Sequence, residues 1–239
     1  MTEPTRALVV GGGSGIGAAV VARYRAAGAE VLTWDLADGD ITCDIADPAQ
    51  VDEATAATID RLGVPSEVTI TAGVGHSAML LDAGPEQWDR VMGINAKGVW
   101  LAMRALARPM LDGDGGSLVA ISSVSARLPD RSMGLYCASK AALDMVIRVA
   151  ADEWAPRLRV NGVGPGVTNT PMLGGAPTGS QWLAGVAERT AMGRIGDADD
   201  IAEAVLATHS MSWVTGQIVL CDGGLSLHSP INPLGDQRG

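Results

Sequence analysis

An α/β fold, with one doubly wound and mostly parallel sheet carrying helices on both faces, is predicted by three observations. Apolar runs of strand length alternate with longer helical patterns, a glycine cluster separates the first strand from the first helix, and no linker or internal repeat divides the 239 residues. Such alternation builds a parallel sheet, because each crossover returns the chain to the same end of the sheet with a helix laid on one face. The length suits a single domain over residues 1–239 with a large core.

The elements follow in order. "RALVV" (6–10) reads as the first strand and 15–27 as a helix stopped at Gly28, followed by a strand "AEVLTW" (29–34). "DITCDI" (40–45) reads as a third strand, Asp47-Pro48 opens a helix over 48–62, and "EVTITAG" (67–73) is strand followed by turn. One long helix is expected at 85–111, a strand in "GSLVAISS" (116–123), a helix over 134–154 and a strand in "RLRVNGV" (157–163). A helix near 198–208 and a strand in "GQIVLCDGG" (216–224) complete the pattern. The Gly/Pro/Thr-rich stretch 171–180 reads as a loop within 170–193, and 225–239 as a C-terminal tail.

Composition narrows the function. Apolar residues make up 47% of the chain with no Phe, so aliphatic side chains fill most of the core. A formal charge of −10 without any basic run argues against nucleic acid and for small-molecule partners. Cys43, Cys137 and Cys221 form no C-x-x-C pair, and the three histidines are dispersed, so neither a disulfide framework nor a metal site is expected. The opening MTEPTRALVV has no basic region leading into a long apolar segment, and a soluble cytoplasmic protein is the expectation.

"VVGGGSGIG" supplies Gly11, Gly15 and Gly17 between strand and helix, where a tight turn, close backbone approach and a helix N-terminus together suit a pyrophosphate. Asp35 ends the second strand. A carboxylate there can accept both hydroxyls of an adenosine ribose and repels a 2′-phosphate, or it is a surface Asp in a turn. With no Lys or Arg at Ser14 or Leu36, NAD is favoured over NADP. In "LYCASKAAL", Tyr136 and Lys140 lie four residues apart, on one helical face. Taken alone, that spacing is a solvated polar stripe or a paired site.

Taken with the other motifs, the chain resembles the short-chain dehydrogenase/reductase family from Val10 to Gly224. The motifs are G11-x-x-x-G15-I16-G17, "TAG" at 71–73, Asn95 in "INAKG", Ser123 in "ISS", Tyr136-x-x-x-Lys140, and Pro165-Gly166 followed by Thr170. The resemblance implies a Rossmann-type fold and hydride transfer between nicotinamide and a secondary alcohol or its ketone. Tyr136 would be the general acid/base and Ser123 the group holding the substrate oxygen. Lys140 would favour the phenolate and hold the nicotinamide ribose, and Asn95 would hold a water of a proton relay. A free phenol titrates near about 10, so positive charge from Lys140 and the oxidised nicotinamide is needed to make it a base near neutrality. Further cofactor contacts are implied for Ser14, Ile16, Leu36, Asp44, Ile45, Ala72, Gly73 and Thr168.

The chain departs from the family pattern in three places. Val10 stands where the family has Thr, which removes a hydrogen bond that braces the glycine loop. Ile70 and Thr71 replace the two amides of "NNAG". The nine residues from Asp35 to Asp44 are too few for the usual connecting helix.

Segment 171–193 is expected to cover the nicotinamide, with Met172, Leu173, Trp182, Leu183 and Val186 offering apolar surface or simply packing the lid. His76, Arg127 and Met133 are further candidates to line the pocket. A mostly apolar pocket points to an alicyclic or aromatic secondary alcohol. A 3-oxoacyl-thioester reductase and a non-catalytic cofactor-sensing protein are the alternatives. The family resemblance also implies a homotetramer or homodimer through the helices at 85–111 and 134–154, with the tail reaching a neighbouring active site or fraying.

Overall fold

The computed structural model describes residues 4–173 and 180–227. Its main sheet has seven strands, all parallel: β1 (Arg6–Val10), β2 (Glu30–Asp35), β3 (Ile41–Thr42), β4 (Glu67–Ile70), β5 (Gly116–Ile121), β6 (Leu158–Pro165) and β9 (Ile218–Cys221), in the order β3-β2-β1-β4-β5-β6-β9. Side chains alternate across it. Ala7 and Val9 of β1 enter one core layer with Val20, Val21, Ile201 and Val205, while Leu8 and Val10 enter the other with Val99, Leu106 and Leu143. Both layers bury apolar side chains, which is why β1 reads as an unbroken apolar run.

The first layer is built by α1 (Gly15–Ala26) and α7 (Ala198–Ser210), the second by α2 (Pro48–Leu62), α4 (Val99–Asp112) and α5 (Gly134–Trp154). Helix α2 occupies the predicted span because both of its ends are specified locally. Asp47 accepts from the Ala49 and Gln50 N–H groups, Pro48 opens the first turn, and Gly63 closes the helix at φ 79°.

Three expectations need correction. The third strand pairs over only two residues, because Asp44 folds into a turn, its carboxylate accepting from Ala46 N. The expected helix at 85–111 is α3 (Pro85–Met92), a π-helical turn at Gly93–Gly98 and then α4. The third is a two-stranded parallel sheet, β7 (Thr168–Asn169) with β8 (Gly196–Asp197), which brackets α6 (Gln181–Arg189) and has no counterpart in the sequence reading. The short β2–β3 link is a turn, as the spacing implied. Asp40 folds back so that its carboxylate accepts from both the N–H and the hydroxyl of Thr33.

The chain reverses direction of travel across the sheet between β1 and β4. The carboxyl ends of strands flanking such a switch point form a crevice where ligands bind in α/β proteins.

Candidate active site

The glycine loop leaves β1 at this crevice. Gly11 has φ 85°, and a Cβ on Gly17 would lie 1.9 Å from the Gly11 carbonyl oxygen, so helix and loop approach to backbone contact. Ser14 begins α1 without capping it, and no acidic side chain stands in the first turn. The helix therefore presents its leading N–H groups, at Gly15, Ile16 and Gly17, to an anion. Asp35 closes one side of the loop, accepting from Gly13 N at 2.9 Å and Leu36 N at 2.8 Å. Thr170 and Pro171 close another, 3.5 Å from where a Gly15 Cβ would stand. The missing brace at Val10 is supplied by the residue just after β4: the Thr71 hydroxyl lies 3.0 Å from the Val10 carbonyl and 2.8 Å from that of Gly11. These residues could hold a dinucleotide, the α1 N-terminus suiting a pyrophosphate and the Asp35 carboxylate a ribose.

Beyond the loop, Gly73 passes over Asn95 and Lys140: a Cβ there would sit 3.2 Å from Asn95 Oδ1 and 3.6 Å from Lys140 Nζ. Ser123, Tyr136, Lys140 and Asn95 are all buried. Burial pushes the Tyr136 phenol above its ordinary value, and the Ser123 hydroxyl beside it pulls the other way. Lys140 Nζ donates to the Ile121 carbonyl at 2.8 Å and lies 5.8 Å from the Tyr136 ring centre. Burial lowers its pKa to about 8, opposed by the Asp144 carboxylate.

The Asn95 side chain is committed to structure. Its amide donates to Val74 O at 2.9 Å and Ser139 Oγ at 3.1 Å, and its oxygen accepts from Val74 N at 2.8 Å. Both amide hydrogens are used, so this side chain has none left to give the relay water expected of it. Ser139 in turn donates to the Tyr136 carbonyl at 2.7 Å, which links the π-turn to α5.

Other candidates divide. Asp44 and Ile45 follow β3, but the Ile45 side chain is core and packs on Gly98, so only its backbone can meet an adenine. Ala72 N joins Val10 O at 3.2 Å, beneath the crevice. Pro165 ends β6, Gly166 packs against Asp222, and the Thr168 hydroxyl donates to Gly166 O at 3.0 Å. Met172 reaches over Gly75, and Trp182 stands half exposed on α6. Val186 is buried, hence packing rather than lining, and Arg127 points to the Ile218 carbonyl. Met133 precedes α5, and Ser132 beside it ties the 74–80 loop down, its carbonyl accepting from Ala78 N at 2.8 Å. His76 Nδ1 is buried without a hydrogen-bond partner among the described residues. The lid's 174–179 and the tail's 228–239 lie outside the described residues. Ser122, Ser139 and Asp144 were passed over in the sequence. Only the spacing of Asp144, one turn beyond Lys140, could have signalled any of them.

A parallel sheet whose switch point carries both an anion cradle and a buried phenol–ammonium pair defines a dinucleotide-binding α/β protein built for proton and hydride chemistry. Known proteins make the class specific. A family model described as enoyl-(acyl carrier protein) reductase matches residues 11–226. The 2,5-dichloro-2,5-cyclohexadiene-1,4-diol dehydrogenase LinX of Sphingobium indicum is 32% identical, over 92% of this chain and 96% of its own. The 3-oxoacyl-[acyl-carrier-protein] reductase FabG of Thermotoga maritima is 29% identical over 91% and 96%. The ligand-free aldohexose dehydrogenase of Thermoplasma acidophilum superposes with a TM-score of 0.90 at 27% identity, covering 96% of this chain and 97% of that one. The chain belongs to the short-chain dehydrogenase/reductase family and is an oxidoreductase.

Proposed function

We propose that the protein is an NAD-dependent dehydrogenase of alicyclic or aromatic secondary alcohols, working reversibly on the corresponding ketones. The observation that carries this is the buried Ser123–Tyr136–Lys140 cluster set directly beside the glycine-loop cradle. A bound nicotinamide supplies or accepts the hydride. Tyr136 takes the hydroxyl proton during oxidation and returns it during reduction. Ser123 donates to the substrate oxygen and steadies the charge that develops there. The Lys140 ammonium, next to a phenol that burial alone makes too weakly acidic, lowers the cost of the phenolate. Asn95 fixes the π-turn against Val74 and Ser139, and so holds the catalytic helix in place.

Asp35 at the end of β2 and the acidic turn after it favour a free ribose over a 2′-phosphate, which supports NAD. The apolar Met172, Leu173 and Trp182 support an apolar substrate, and the relative LinX is named for a cyclohexadiene diol. His76 Nδ1, buried without a hydrogen-bond partner among the described residues, would be free to bond a second polar group on such a ring. The FabG relative keeps a 3-oxoacyl-thioester substrate as the second reading. We place the protein in the cytoplasm as a homotetramer or homodimer; none of the described helices is long and apolar enough to cross a membrane.

NADH formation by purified protein on dihydrodiols, cyclohexanols, hydroxysteroids and aryl ethanols tests the proposal. Turnover with NAD on one of these classes is expected. Tyr136→Phe should lose roughly a hundredfold to ten-thousandfold in kcat while still binding NADH. Strong preference for NADPH with ketone reduction alone would sink the reading.

A further inference from the structure

Three consecutive residues leaving β5 engage three successive turns of one face of α5. Ser123 stands beside Tyr136, Ile121 accepts from Lys140 Nζ at 2.8 Å, and the Ser122 hydroxyl donates to Asp144 Oδ1 in a short hydrogen bond. The first two contacts belong to the proton-transfer site described above; the third has no role in it. Asp144 and Lys140 are each only 4% exposed, and at i, i+4 they stack one turn apart.

We propose that Asp144 is a positioning residue for proton transfer, its carboxylate holding Lys140 as an ammonium ion while Tyr136 gives up its proton. This rests on the role given to Lys140 under Proposed function. An ammonium ion this deeply buried tends to lose its proton, and Lys140 has already come down to about 8. A further fall would leave a neutral amine beside Tyr136 at the pH where alcohols are oxidised. The Asp144 charge opposes that fall. Burial pushes the Asp144 carboxyl above its ordinary value, and the groups around it pull the other way, toward the ionised form: the Ser122 hydroxyl just after β5, Arg148 and Lys140 from α5, with Arg148 Nη2 at 4.0 Å, and Arg127 from the segment after β5. Asp144 lies about 12 Å along the helix from Tyr136 at roughly 1.5 Å per residue, so it acts through Lys140 and not on the substrate.

The chain has only two lysines, exposed Lys97 and buried Lys140, so protein made with ¹³Cε-lysine gives two signals that a Lys97→Arg variant assigns. In the cofactor-free protein, Asp144→Asn is expected to move the Lys140 titration down by about one pH unit. Asp144→Glu should restore it. Ser122→Ala, which removes the hydrogen bond but leaves the charge, should stay near wild type. Asp144→Thr is a second charge-free variant that keeps a partner for Ser122, should the asparagine variant fold poorly. In turnover, the alkaline limb of the oxidation rate should move down with the titration. An unmoved Lys140 titration in a folded charge-free variant would overturn the proposal, as would a shifted titration with an unshifted rate profile. A wild-type protein that titrates as expected yet turns over no alcohol would overturn the enzymatic reading instead, and with it the positioning role.

Discussion

His209 is a buried imidazole outside the site, and it links stability to pH. Its Nε2 lies 3.0 Å from Thr69 Oγ1 and its Nδ1 lies 2.9 Å from Ser117 Oγ, so two hydroxyls serve both nitrogens of a neutral ring. Burial, reinforced by the Arg159 guanidinium, lowers its pKa from 6.5 to about 3. Between those values the unfolded chain binds a proton that the fold refuses. The contribution of His209 to stability is therefore complete above about pH 6.5 and falls by about 1.4 kcal/mol for each pH unit down to about 3. Urea unfolding at stepped pH should show this slope in wild type. In His209→Gln, whose amide can still meet both hydroxyls, the slope between pH 6 and pH 4 should be shallower by that amount. Equal slopes would mean that other groups carry the acid sensitivity.

At the scale of elements, the glycine loop shows how one strand can take over a task from its neighbour. β1 and β4 pair with Val10 opposite Ile70, so Thr71 stands level with the loop and its hydroxyl reaches two loop carbonyls. Removing that hydroxyl in Thr71→Val should cost about 1 kcal/mol of stability and weaken NADH binding roughly fivefold. Adding Val10→Thr should recover part of the binding if the brace is interchangeable between strands; a calorimetric titration of the two variants decides it. The sequence exposed the gap at Val10 but not its repair, because the repair depends on the register of two strands far apart in the chain. The same division holds elsewhere. The start of helix α2 was legible from Asp47 and Pro48, and the Tyr136–Lys140 pair from one helical turn. The π-turn at Gly93–Gly98 is pinned by Asn95 contacts with Val74 and Ser139, and β7 meets β8 across the whole of α6. Neither leaves a local pattern to read.

For the whole molecule, the main question is what covers its outer helices. Both faces of the sheet are filled by helices of the same chain, yet α5 turns Met145 and Val149 outward, 56% and 47% exposed and one turn apart. On α4, Trp100 is 39% exposed and carries the Arg104 guanidinium 5.4 Å from its ring centre. If the protein self-associates as proposed, these apolar side chains on two neighbouring helices are the surface expected to meet the second copy. Self-association must overcome the net charge of −10, so it should strengthen with salt, which screens repulsion over about 8 Å at physiological ionic strength. Sedimentation equilibrium should give a dimer or tetramer whose dissociation constant falls as sodium chloride is raised. Val149→Glu adds a charge to the outer face of α5 without touching the core, and is expected to release a folded monomer. A wild-type chain that sediments as a monomer at all salt concentrations would mean that these side chains cover nothing and that the site is complete within one subunit.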